Sequence, residues 1–334
     1  MVENVILFDP ISDEEFEYHG HQKALENFTW VNVNLTNVNL SRIVISNCIL
    51  ENVNLTNVDL SFIRSRISLW DKINFTKTKF SNSHIGSTNI HNSNLNSVDM
   101  SNSKISLSRF RECNLEHANF SHTVFDCSTF KDEDLDADGY YDTFHKCKME
   151  SVNFHNARFD IDSDFENLDL KDANFSEAYL NRISFMDSNL TNCNFNKANC
   201  SEVNFSSANL TNANLQNTNC NSSHFLHANL TNANLSNANF NNCGFQNANF
   251  KNANHAGATF REASLESAKS FDLFQYDKIH EESILEKEKI DIDQYKNHKD
   301  NIHFEKKRKK YSAIKFISIG IVLFIFLLYM IDII

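Results

Sequence analysis

The stretch DLDADGYYD, residues 134–142, carries carboxylates at the first, third, fifth and ninth positions of a candidate cation loop. Asp134, Asp136, Asp138 and Asp142 would supply side-chain oxygens, Tyr140 its backbone carbonyl at the seventh position, and Gly139 the sharp turn. Hard divalent cations such as Ca2+ take oxygen sets of this kind. The spacing departs from the pattern at the twelfth position, where His145 stands in place of a bidentate acid. The nearby DIDSDFE, 160–166, offers Asp160 or Asp162 as further ligands. Calcium is the one cofactor this chain suggests; the alternative is a solvated acidic loop. Other chemistry is poorly represented. The eight cysteines include no CxxC pair, the histidines are scattered, and no HExxH, GxSxG, GxGxxG or phosphate-binding loop occurs. These absences argue against an enzyme.

The elements that must position such residues follow from an unusual period. In NLTNANLSNANFNNCGFQNANF, residues 229–250, an apolar residue recurs at every fifth place: Leu230, Leu235, Phe240, Phe245 and Phe250. Neither a helix nor a flat strand repeats in that way. Counted by fives from Leu35 to Tyr140, every position but Ser65 is apolar. The frame slips back by one through Phe144, Met149, Phe154 and Phe159, then forward at Phe165, and runs on to Leu265. Two residues before each large position lies a small one, Ala in the C-terminal half and more often Val, Ser or Thr in the N-terminal half. Such an array reads as a solenoid of internal repeats.

ANLTNANLQN and ANFNNCGFQNANF resemble the pentapeptide-repeat proteins, whose unit is written A(D/N)LXX. The resemblance covers about residues 31–270. It implies an all-β fold, a right-handed quadrilateral β-helix with four repeats per coil, in which the large and small columns point inward. Coils stacked at the spacing of sheet strands, about 4.8 Å, would number roughly twelve over about 55 Å. Of the cysteines, only Cys127 falls outside the two inward columns, so the set reads as compact core rather than as a zinc or disulfide framework. Outward Asn, as at Asn34, Asn54, Asn209 and Asn229, can donate and accept between coils without charge repulsion. The scarcity of glycine suggests few residues of positive φ.

Outside the array, residues 1–30 are acidic and read as an N-terminal cap, and 271–310 as a charged helical spacer ending in the basic cluster KKRKK. Phe271, Phe274 and Tyr276 are expected to close the last coil. The run from Ile314 to Ile334 would span about 31 Å as a helix, enough for a bilayer core. Residues 311–334 are therefore expected to form a transmembrane helix. Basic residues on its N-terminal side place the repeats in the cytoplasm, as a tail-anchored, single-pass membrane protein.

Some pentapeptide-repeat proteins imitate DNA and bind type II topoisomerases, which requires acidic stripes. Here residues 28–130 hold nine bases and seven acids, and 173–260 three of each. The acids gather instead in 131–172, which contains thirteen. Nucleic-acid binding is not expected either, because no basic stripe with interleaved aromatics runs along the array. Between Val44 and Trp70 the outward positions turn apolar, at Val44, Ile49, Phe62, Ile67 and Leu69, with Ile49 and Leu69 expected to stack. The expected function is a non-enzymatic protein-interaction scaffold at a membrane, with Ile49, Phe62, Ile67 and Leu69 as the partner-binding surface. That surface could also serve a homodimer or be covered by the N-terminal segment. The alternative function is a topoisomerase-binding DNA mimic.

Overall fold

The computed structural model describes residues 24–126, 143–159 and 164–271. Throughout these segments the large and small columns turn inward. Leu210, Phe225, Leu235 and Phe240, with Ala208, Ala233 and Ala238, have exposures of 1 % or less. Side chains of alternating size fill the narrow interior. Each coil advances by twenty residues: Asn34 pairs in parallel with Asn54, Asn39 with Asp59, Val44 with Arg64 and Ile49 with Leu69. These four ladders are the four sides of the coil. One runs through Ala24, Val44, Arg64, His84, Lys104, Val124, Arg158, Tyr179, Asn199, Asn219, Asn239 and Thr259, twelve stacked positions.

Eleven short strands line two of the sides: β1 (Ala24–Glu26), β2 (Thr29–Val31), β3 (Val44–Ser46), β4 (Ile49–Glu51), β5 (Arg64–Asp71), β6 (His84–His91), β7 (Lys104–Ser106), β8 (Arg109–Arg111), β9 (Val124–Asp126), β10 (Phe144–His145) and β11 (Arg158–Phe159). One side runs β1-β3-β5-β6-β7-β9-β11, and the next runs β2-β4-β5-β6-β8-β10. Beyond residue 164 the sides are held by single bridges and tight turns. The first coil starts earlier than the boundary at residue 31, because β1 already pairs with β3 from Ala24. At the other end Phe271 packs on Phe250 and Phe260, with ring centroids 4.9 and 5.1 Å away. Phe274, Tyr276, the spacer and the apolar run 311–334 lie outside the described residues. No helix among the described residues is long and apolar enough to cross a membrane.

Both frame slips are insertions at one corner. Phe144 stacks on Phe110, thirty-four residues earlier instead of twenty, so fourteen additional residues separate β9 from β10. The ladder therefore leaves the counting frame after Phe125 and resumes at Phe144; Phe130, Leu135 and Tyr140 lie outside the described residues. The second slip adds one residue, since Arg158 pairs with Tyr179 across twenty-one.

The expectation about backbone conformation was wrong. In each frame every fifth residue has positive φ, from Asn27 to His122, at Lys146, Ser151 and Asn156, and from Asn167 to Ser267. This residue lies two after the large one and turns the corner. Asn tolerates the left-handed region better than other non-glycine residues, because its short side chain bonds locally. Its abundance substitutes for glycine. Asn side chains also join coils, as in the run Asn174, Asn194, Asn214, Asn234 and Asn254, where each amide donates to the preceding carbonyl at 3.1–3.3 Å. A second use was not read from sequence: the same outward Asn oxygen accepts the amide two residues on, as Asn214 Oδ1 does from Gln216 at 3.1 Å.

Candidate interaction face

The side formed by β2, β4, β5, β6, β8 and β10 departs most from the Asn-covered surface. Its strands alternate inward and outward, so Leu50, Trp70 and Ile90 enter the core while Ile49, Leu69 and Asn89 project out. Ile49 and Leu69 are direct partners on adjacent strands, 46 % and 39 % exposed. Ile67 precedes Leu69 on β5, at the corner of the coil, and is 67 % exposed. Val31, which the sequence reading did not single out, stands beside Glu51 on the same side and is also exposed. Phe62 does not join this set. It occupies the preceding corner, where the Arg42 guanidinium lies 4.6 Å from its ring centroid.

Ile67 is conspicuous for its backbone as well. Its φ is 48°, the left-handed region, where a β-branched side chain crowds its own carbonyl. Most corners of this solenoid hold Asn, Ser, Lys or Glu there.

Further along the same side the outward residues become Asn, His and Arg. Leu69 is followed by Asn89 and Arg109, and Asp71 by His91, Arg111 and His145. Asn89, His91, Arg109, Arg111 and His145 line a shallow concavity of about 100 Å³. Burial lowers the His91 pKa, and the neighbouring Arg111 lowers it further. Burial likewise lowers that of His84, on the adjoining side, with Lys104, Arg66 and Arg64 acting in the same direction. Sequence inspection could have aligned Asp71, His91 and Arg111, which are twenty apart. It could not have added His145 without knowing the length of the insertion.

The calcium candidates Asp134, Asp136, Asp138, Tyr140 and Asp142, together with Asp160 and Asp162, lie outside the described residues. Among the described residues no three His, Cys, Asp or Glu side chains gather as a metal site. The seven described cysteines are buried and unbridged. Burial raises the thiol pKa of Cys147, Cys193 and Cys220, and pushes Cys243 up to about 12. Such thiols form little thiolate, the reactive and metal-binding species. Their role is core packing.

Comparison with known proteins agrees with this geometry. The family described as pentapeptide repeats matches in eight copies, over residues 31–62, 106–136, 183–219, 208–245 and 243–269. No curated protein sequence matches the chain. Among solved structures, HetL, a pentapeptide repeat protein involved in heterocyst differentiation regulation from the cyanobacterium Nostoc sp. strain PCC 7120, is 18% identical; the match covers 74% of this chain and 89% of that one, with a TM-score of 0.33. QnrB1, a plasmid-mediated fluoroquinolone resistance protein, is 12% identical over 76% of this chain and 97% of its own, with a TM-score of 0.30. Rfr23 from the cyanobacterium Cyanothece 51142 is 26% identical over 27% and 63%, with a TM-score of 0.27. The five-residue period, the twenty-residue coil and the matched segments lead to one conclusion: the chain carries pentapeptide repeats over residues 31–62, 106–136 and 183–269.

Proposed function

We propose that this protein is a non-enzymatic interaction scaffold, its solenoid presenting a docking face to a protein partner and its C-terminal apolar run tethering it to a membrane. The observation that carries the reading is the set Ile49, Ile67 and Leu69, three exposed apolar side chains grouped on a strand-rich side and its adjoining corner. Contiguous exposed apolar groups of this kind mark interaction sites or aggregation liabilities. The tether rests on the basic cluster before Ile314–Ile334 and on that segment's length, with the repeats on the cytoplasmic side.

The alternative, a DNA mimic acting on a topoisomerase, is less well supported by the charges. Along one ladder Asp59, Lys79 and Asp99 alternate in sign. On the outer corners Arg182 meets Glu202 at 2.9 Å and Lys197 meets Glu177 at 3.6 Å. Among the described residues, charges that pair between coils leave no continuous acidic stripe. The calcium reading of Asp134–Asp142 stands as a separate proposal, to be checked by calorimetry of the full chain with and without Asp136→Ala and Asp138→Ala.

A photo-crosslinking side chain at position 69 tests the scaffold reading in native membranes, with position 219 on an Asn ladder as the control. A discrete crosslinked protein at 69 and none at 219, from a chain that resists alkaline extraction, is the expected outcome. A chain released by alkali would remove the tether. Equal labelling at both positions would remove the docking face.

A further inference from the structure

The exposed apolar group begins at the first coil. Val31 stands on β2, Ile49 on β4 beside Thr29, Leu69 on β5 beside Ile49, and Ile67 at the corner within β5. The chain enters the first coil at Ala24, on the adjoining side, so Ile49 and Leu69 lie only about 5 and 10 Å along the axis from its entry. Counted back by fives from Leu25, the inward positions would fall on Gly20, Glu15 and Pro10. None of these fills the large column, and proline lacks a ladder donor. The five-residue period therefore stops at Leu25. Before it stands a four-residue apolar block, Val5, Ile6, Leu7 and Phe8, followed by the acids Asp9, Asp13, Glu14, Glu15 and Glu17. The fifteen residues between Phe8 and Ala24 reach up to about 50 Å when extended, well beyond the distance required.

Two features beside Ile67 suit such an occupant. Arg66 is exposed, and its register partners are Ser46 and Gly86, so no carboxylate faces it along the ladder. Gly86 is unusual in the middle of a strand, where glycine often marks the close approach of another backbone. A Cβ there would meet only Ser65 O at 3.5 Å and His84 Nε2 at 3.7 Å, ordinary contacts, so packing of the coil does not require the glycine. On the opposite flank Glu51 and Asp71 are both held by Lys72, at 3.7 and 2.9 Å. Acids that follow the block are thus drawn toward Arg66.

We propose that the block Val5–Phe8 of this chain's own N-terminal segment lies on Ile49, Ile67 and Leu69, its following acids toward Arg66 and Gly86, and that a partner gains the face by displacing it. The inference rests on the docking face proposed above and adds its regulation. A short tether holds the block at about millimolar effective concentration, so weak intrinsic affinity suffices to occupy the face. A second copy of the chain fits less well. Stable protein interfaces engage about 20–30 residues a side, whereas Val31, Ile49, Ile67 and Leu69 match a short segment.

The test uses the full chain in detergent with the photo-crosslinking side chain at position 69, its adducts mapped by mass spectrometry after digestion. An intrachain adduct to peptides from residues 1–23 is expected, at a yield independent of protein concentration, with none from position 219. Ile6→Asp with Leu7→Asp should lower that yield about tenfold or more, with melting temperature confirming the fold. Where the aspartates lower the melting temperature, Ile6→Ser with Leu7→Ser serves instead. In native membranes the same double variant should raise labelling of the partner from position 69 several-fold. No adduct to residues 1–23, an adduct whose yield grows with protein concentration and so reports a second copy, or indifference to the changes at 6 and 7 would each overturn the proposal. Partner labelling from position 69 without any adduct to residues 1–23 would overturn this inference and leave the docking face standing. An adduct to residues 1–23 with no partner labelled by either form would remove the docking face, and the displacement with it.

Discussion

The coils of residues 24–126 and those of 164–271 share one register and one core rule, yet they build different surfaces. In the second group each corner from Ala173 onward closes on itself: the amide of the small inward residue donates to the carbonyl three residues before, as Ala213 does to Leu210 and Ala233 to Leu230, both at 3.0 Å. In the first group this bond is found at Val58, Thr78, Val98, Ala118 and Thr123. Other small-column amides there turn to a hydroxyl in the next coil. Ile63 donates to Ser83 Oγ at 3.1 Å, Ile73 to Ser93, Ser83 to Ser103 and Thr88 to Ser108 each at 3.0 Å. Val203 is intermediate, donating to Ser223 Oγ at 3.0 Å while Cys200 O lies at 3.4 Å. Freed from the tight turn, the first group extends into strands of three to eight residues. Strands favour β-branched and large outward residues, and the candidate face occurs there. A side built of strands and a side built of tight turns thus differ by how a corner satisfies one buried amide.

The largest expected effect breaks the second group. Phe195 stacks on Phe175 at 5.0 Å with the rings 5° from parallel, and is fully buried. Phe195→Ala should destabilise by about 3–5 kcal/mol, read by chemical denaturation. A loss no greater than that of Leu95→Ala would mean that ring stacking adds little to the C-terminal coils.

Ser103→Ala probes the hydroxyl device of the first group. It removes the acceptor of the Ser83 amide and the donor to Phe80 O at 2.9 Å. A buried, unmatched pair of this kind should lower stability by about 1–3 kcal/mol. Thr218→Val is the comparison in the second group, where the Thr218 amide keeps its turn bond to Leu215 O at 3.2 Å. A smaller loss is expected there, and equal losses would erase the distinction.

Ile67→Asn should act in the opposite direction. Relieving a β-branched residue at φ 48° is expected to stabilise the free protein by about 1 kcal/mol, while weakening crosslinking at position 69. Destabilisation would show that Ile67 serves the coil and not a partner.

The smallest effect is a pH dependence confined to the first group. His84 and His91 have pKa values below the ordinary 6.5 through burial and neighbouring cations, so the folded form binds fewer protons than the unfolded one. Their contribution is complete above pH 6.5 and declines as pH falls through that value toward their lower folded pKa values. Hydrogen exchange should report faster opening of β6 at pH 5.5 than at pH 7.5, with His84→Gln and His91→Gln together flattening the change (about one pH unit either side of an ordinary histidine). An unchanged slope in that double variant would assign the dependence to other groups.

The period of five, by itself, determined that the chain is a solenoid of internal repeats, because neither a helix nor a flat strand repeats in fives; the four-sided coil with its inward columns was what the family resemblance implied. Ile49 and Leu69 were legible as neighbours for the same reason, being twenty residues apart in an unbroken frame. Phe62 was misgrouped, since it and Ile67 hold equivalent corner positions five residues apart, and only the corner of Ile67 adjoins the side that carries Ile49 and Leu69. Asn was legible as a ladder but not as the corner residue, because positive φ is set by closure of the coil and leaves no spacing signal of its own. The file His91–Arg111–His145 was decided by tertiary structure alone. Only the stacking of Phe144 on Phe110 brings His145 beside Arg111, and that register depends on the core closing across an insertion whose length no local pattern encodes.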